Sequence, residues 1–277
     1  MKTKIKFLIV STLAILFITY LALNFDSKPI LAAKKDDTPT LYIHGSSGTI
    51  NSFGGMLARM ESDQQTKKEL ILTISPTGEI TQEGNYKVGS INPSIQILFE
   101  DNKNTIENQV IWLTKIMRYL KEHYQIDEVN LVGHSDGGIV GLTYLEEYTS
   151  DLTLPKVVKF IAIGSPFNSQ IPLQKGETME DVLTNEPEKQ SSRYENFKAN
   201  IDKIDKHLPI LLIAGDENSD NQGDGTVPLA DALSIYPVMV KSNDNVQKII
   251  VTGENTGHSE LHENREVDKL VEKFLWN

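Results

Sequence analysis

Ser135 stands in Gly133-His134-Ser135-Asp136-Gly137, a G-x-S-x-G pentapeptide. That spacing puts a hydroxyl on a sharp strand-to-helix turn, with small residues two before and two after so that neighbouring backbones can crowd in. The hydroxyl then projects from the top of a sheet as a nucleophile for acyl transfer. The next amide, on Asp136, lies at a helix N-terminus and can donate to a developing oxyanion. A phosphate-binding turn or a plain connector would use the same glycines. The apolar run 129–132 before the motif and the helical pattern after it favour the nucleophile reading.

A serine hydroxyl needs a base to take its proton, most often an imidazole. The chain has six histidines. His123 closes an amphipathic helix pattern and His207 precedes a strand, so both read as surface or packing residues. His44 and His134 belong to the two glycine motifs. His258 and His262 follow the last expected strand, where the chain order Ser, acid, His puts the base. His258, in the loop Thr256-Gly257-His258-Ser259, is preferred over His262, which opens the terminal helix. The acid belongs in the loop 215–225, which offers Asp216, Glu217, Asp220 and Asp224. Asp224, flanked by glycines and followed by Thr226-Val227-Pro228, is the first choice, and Asp216 near the strand end is the main alternative. The same loop matches the first three ligand positions of a calcium loop through Asp216, Asn218 and Asp220. The register then fails, with Asn221 where Gly is needed and Val227 where Glu is needed.

An earlier motif completes the chemistry. His44-Gly45-Ser46-Ser47-Gly48 closes the first expected strand, and its glycines permit turns that aim an N–H inward. The Ser46 amide is the candidate second oxyanion donor, beside that of Asp136. A simple Gly-Ser turn is the bland alternative.

These residues need a scaffold. Short apolar runs alternate with helical patterns, the signature of a mostly parallel sheet with crossover helices. Strands are expected at 41–43, 70–74, 86–91, 95–99, 129–132, 157–163, 210–214 and 248–251. Helices are expected at 53–61, 105–124, 136–148 and 267–276. In 105–124, Ile106, Val110, Leu113, Met117 and Leu120 recur at the helical period. The polar stretch 166–207 interrupts two core strands and is too long for an ordinary connection. It reads as an insertion with helices of its own, either a cap or lid over the site or a surface ornament.

The chain of 277 residues carries 27 Lys plus Arg, 38 Asp plus Glu and no cysteine. Disulfide frameworks, zinc ribbons and thiol catalysis are therefore excluded. A net charge of −11 argues against nucleic acid as a partner. The charge is uneven. Lys2, Lys4 and Lys6 precede an uncharged, mostly apolar run of 17 residues from Phe7 to Leu23. Residues 1–33 read as a signal peptide or an N-terminal membrane anchor. The remaining 34–277, with four fewer lysines and one fewer aspartate, carry about −14 and form the folded domain.

Five segments together carry a family likeness: HGSSG (44–48), NPSIQILFEDN (92–102), VGHSDGG (132–138), GDGTVP (223–228) and HSELHEN (258–264). With them the sequence resembles the α/β-hydrolase superfamily. More narrowly, it resembles a family of exported or cell-surface hydrolases of uncharacterised function from Gram-positive bacteria. The likeness runs over about 41–276. It implies a three-layer α/β/α fold with a mostly parallel central sheet and a triad of Ser135, Asp224 and His258. One departure is Asp136, where such families often have Met or another apolar residue. A carboxylate turned inward would oppose an oxyanion, so only its amide is expected to face the site.

The resulting expectation is an exported serine hydrolase of carboxylic esters, acting on a small-molecule or lipid ester. No metal or organic cofactor is called for, and membrane contact would come only through an uncleaved N-terminal segment. The same triad could serve a thioesterase, an amidase or peptidase, or an acyltransferase. A non-catalytic surface protein that keeps the fold is the reading from a different class.

Overall fold

The computed structural model describes residues 37–277 apart from 219 and 221. The leader segment 1–33 lies outside the described residues. The sheet is built outward from β1 (Thr40–Ile43) and β5 (Glu128–His134), which pair in parallel. Both are buried almost throughout, as parallel strands covered on both faces must be. The polar side chains they bury answer one another, with Asn130 Nδ2 donating to Thr40 Oγ1 at 3.2 Å. Strand alternation sends Leu41 and Ile43 into one core layer and Tyr42 into the other.

The eight strands run in the order β3-β2-β4-β1-β5-β6-β7-β8. The others are β2 (Lys67–Ile74), β3 (Ile80–Gly84), β4 (Pro93–Phe99), β6 (Lys156–Ile163), β7 (Ile210–Asp216) and β8 (Val246–Thr252). All pairings are parallel except β2 with β3. The strand expected at 86–91 does not form. The edge position is taken by β3, which folds back on β2 through a tight turn closed by Ser75 N to Glu79 O (2.9 Å). Tyr86 packs half-buried and edge-on against Tyr124, outside the sheet, and Val88 is 87% exposed. The β3 hairpin lacks an apolar run because residues on both faces of this edge strand, from Thr81 to Gly84, are exposed.

Helices cover both faces of the sheet. On one side α1 (Asn51–Ser62) and α8 (Arg265–Trp276) bury Phe53, Met56, Leu57, Val267, Val271 and Leu275 against Tyr42, Val132 and Ile161. On the other lie α2 (Ile106–Tyr124) and α3 (Asp136–Tyr148). Thr105 caps α2 by accepting from Asn108 N at 3.3 Å, and Gln125 in the left-handed region (φ 53°) ends it. Each fully buried Leu, Ile or Phe contributes about 1.5–3 kcal/mol of transfer free energy.

Residues 166–207 join β6 to β7 and contain α4 (Met179–Asn185) and α5 (Ser192–Asn200). Both are locally specified. Thr178 and Asp181 form a reciprocal capping box on α4, and Ser191 caps α5. Their apolar faces are not free. Tyr194 and Phe197 join the main core, α5 packs on α3, and α4 packs on α6 (Leu229–Ala232) and α7 (Tyr236–Ser242). Among the described residues no helix is long and apolar enough to cross a membrane.

Candidate active site

β5 ends at His134 and α3 begins at Asp136, so Ser135 alone makes the turn, with φ 55° and ψ −127°. A side-chain-bearing residue pays about 1–3 kcal/mol for such a backbone and keeps it only where its surroundings hold it. Here Ser135 N donates to Ile163 O at 2.9 Å and Ser135 O accepts from Gly138 N at 3.0 Å. The flanking glycines are required by contact. A Cβ on Gly133 would strike the Gly137–Gly138 peptide, and one on Gly137 would strike the carbonyl oxygens of Ile43 and His44.

Three side chains from distant stretches meet at this turn. His258 Nε2 lies 2.9 Å from Ser135 Oγ, and His258 Nδ1 lies 2.7 Å from Asp224 Oδ2. A carboxylate can only accept, so Nδ1 carries the proton and Nε2 is free to accept from the serine hydroxyl. The other carboxylate oxygen, Asp224 Oδ1, accepts from Val227 N (2.6 Å) and Thr226 N (3.0 Å), which fixes the acid's rotamer. Main-chain bonding repeats the connection, since His258 N donates to Asp224 O at 2.8 Å. The carboxylate side chain is 1% exposed and the imidazole 14%. The carboxylate is thus shielded while the imidazole faces a half-buried serine.

The other acidic candidates go elsewhere. Asp216 Oδ1 accepts from Gly223 N at 3.3 Å, tying the loop's far end to β7, and Glu217 is exposed. Among the described residues no group of His, Asp and Glu is arranged to hold a metal ion. His207 meets Asp244 on the surface and His123 stacks on Tyr119. His262 sits on a 3-10 turn (Leu261–Glu263) rather than in the terminal helix, with Nδ1 3.2 Å from Glu263 Oε1. Burial lowers its pKa, against the opposing pull of Glu263.

The first glycine motif abuts Ser135. A Cβ on Gly45 would come within 2.5 Å of Ser135 Cβ. His44 anchors this loop from beneath, its Nδ1–H donating to Gly45 O (2.7 Å) and its Nε2 accepting from Phe99 N (3.0 Å). Burial lowers its pKa, with the Gly45 bond opposing, and the ring serves as a neutral brace between β1 and β4. Ser47 N donates to Asn102 O and Gly48 N to Gly45 O, both at 3.0 Å. Just before these engaged amides, that of Ser46 has no acceptor among the described residues, nor has that of Asp136 at the start of α3. The Asp136 carboxylate is half-buried and makes no ion pair among the described residues.

Sequence reasoning missed the residue that holds the turn after His258 from outside. Arg59 on α1 makes a bidentate contact with Asp268 of α8 (2.6 and 2.9 Å), reaches Glu263 Oε2 (2.7 Å), and donates to His262 O (3.0 Å). The hydrogen bonds to Asp268 hold the guanidinium firmly charged. Nothing in the helical pattern 53–61 separates Arg59 from any solvated arginine.

The family described as "Alpha/beta hydrolase of unknown function (DUF915)" matches residues 27–277. No curated protein matches the chain. Among solved structures, the lin2722 gene product of Listeria innocua is 31% identical, with a TM-score of 0.79 over 87% of this chain and 94% of that one. A protein of Lactobacillus plantarum designated a cell surface hydrolase is 25% identical, with a TM-score of 0.70 over 86% of this chain and 91% of its own. The esterase Pf2001 of Pyrococcus furiosus, 14% identical with a TM-score of 0.50 over 87% and 84%, shares the fold alone. The three-layer sheet described above is the α/β-hydrolase fold.

Proposed function

The chain belongs to this family of alpha/beta hydrolases of unknown function, and we propose that it is an exported serine hydrolase of carboxylic esters. The observation that carries the reading is the unbroken line from Asp224 through His258 to Ser135, with steps of 2.7 and 2.9 Å. His258 Nε2 takes the proton as Ser135 Oγ attacks the ester carbonyl. The unengaged amides of Ser46 and Asp136 receive the oxyanion. His258 then protonates the leaving alkoxide, and a water molecule, activated in the same way, releases the acid. Asp224 holds the imidazole in the required tautomer and stabilises its charged form.

The substrate in this reading is a small-molecule or lipid ester outside the cytoplasm. Export rests on the basic, then apolar, composition of 1–33, and the designation of the Lactobacillus plantarum protein agrees with it. The insertion 166–207 leaves β6 beside Asp224 and His258, which Gly164 faces, and we assign it the role of a cap over the site. The test is hydrolysis of short p-nitrophenyl esters by the parent and by Ser135→Ala. Turnover in the parent and its loss by roughly 10⁵-fold or more in the variant is expected. A variant as active as its parent would refute the assignment.

A further inference from the structure

His134, the residue before Ser135, is 5% exposed, and among the described residues its ring has one hydrogen bond, between its Nε2 and the main-chain carbonyl of His258 at 2.8 Å. The two residues are 124 apart in sequence. A carbonyl oxygen cannot donate, so Nε2 must carry the proton and the ring is held in that tautomer. The rings of His134 and His258 lie 4.7 Å apart, and His262 closes the other side edge-on at 5.0 Å. Burial, more than any neighbour, keeps His134 neutral, and His258, His262 and His44 add to it. The remaining charges around it are Glu263 against His262, Arg59 beyond Glu263, Asp224 against His258, and Asp136 two places along the chain. A neutral ring is what this position needs, because a second cation would oppose the imidazolium that forms on His258 during acyl transfer.

We propose that His134 is a positioning residue, whose Nε2–H grips the His258 carbonyl and so fixes the main chain from which the general base reaches Ser135. The inference rests on the Ser135–His258 reading. It adds a link that the triad lacks, since the strand that presents the nucleophile also holds the loop that presents the base. The distance between the two reacting groups is then set within one rigid element, and a displacement of about 1 Å there would cost roughly 100-fold in rate.

Replacements at 134 separate this role from packing. Gln places an amide N–H close to the position of Nε2, Asn places one close to Nδ1 and falls short, and Leu fills space without a donor. The readout is the second-order rate of phosphonylation by a fluorophosphonate, corrected for folded fraction by thermal unfolding. Expected is a loss of roughly 10–100-fold in His134→Asn and His134→Leu, with His134→Gln within a few-fold of the parent. If Leu proves unable to fold, the contrast between Asn and Gln carries the same information. Asn reacting as fast as the parent, or Gln as slowly as Asn, would overturn the proposal. Labelling that persists unchanged in Ser135→Ala would refute the serine reading itself and the inference with it. Labelling confined to Ser135, but indifferent to residue 134, would remove the inference alone.

Discussion

The two halves of the candidate site are positioned by different means. Ser135, the proposed nucleophile, is set by five consecutive residues, with a strand before them, a helix after them, and glycines where backbones touch. Asp224 and His258, the proposed acid and base, come from the loops after β7 and β8, and are held by hydrogen bonds that cross the chain. Asp224 takes two amides of its own turn, His258 N reaches Asp224 O, His134 takes the His258 carbonyl, and Arg59 clamps the turn at 261–263. Local covalent geometry can thus fix one reactive atom, while its partner depends on a web that only the folded sheet assembles. The first half should respond to changes of backbone, and the second to loss of single donors and acceptors.

Asp224→Asn gives the largest expected break in the web. The amide cannot hold the Nδ1–H tautomer, so kcat should fall by roughly 10⁴-fold with little change in KM, as steady-state ester kinetics would reveal. A loss under tenfold would mean that another carboxylate, Asp216 foremost, can orient the base. Arg59→Ala acts one step further out. It strands the Asp268 carboxylate, whose pKa burial already raises against the pull of Arg59, so stability should drop by about 1–3 kcal/mol in urea unfolding. Turnover should fall less than tenfold, because the direct bonds to His258 survive. A larger loss of turnover than of stability would place Arg59 nearer the chemistry.

The smallest effect belongs to the far end of α3, where the elbow's helix buries Glu146 with Oε1 unpartnered among the described residues. Burial pushes its carboxyl pKa up to about 8, well above an unfolded value near 4.5. The folded state therefore keeps a proton that the unfolded chain releases, and this contribution to stability is lost as pH rises from about 4.5 to about 8. Glu146→Gln should be near neutral at pH 5 and stabilising by about 1–3 kcal/mol at pH 9, with ester turnover unchanged. Thermal unfolding across that range checks the sign, and a stability difference that shrinks with pH would contradict it.

Legibility in the sequence follows the same division. The elbow could be read because its requirements are local, and the buried strands because parallel pairing demands continuous apolar runs. β3 escaped because its residues face water, and 86–91 misled because alternation alone cannot say whether a face is covered. In the acidic loop, composition left Asp216 and Asp224 close rivals. The deciding facts are tertiary, namely that Asp216 is spent on Gly223 while Asp224 Oδ2 points at His258. Of His258 and His262, four residues apart, the second is carried off on a 3-10 turn that sequence periodicity did not disclose. Arg59 and the main-chain bond of His134 left no trace in residue type.

Peptide mapping after reaction with a fluorophosphonate tests the central claim most directly. The account predicts one adduct per chain, on Ser135, formed in the parent and absent from Ser135→Ala together with all ester turnover. An unmodified Ser135 in a folded parent, or turnover that survives its replacement, would contradict it.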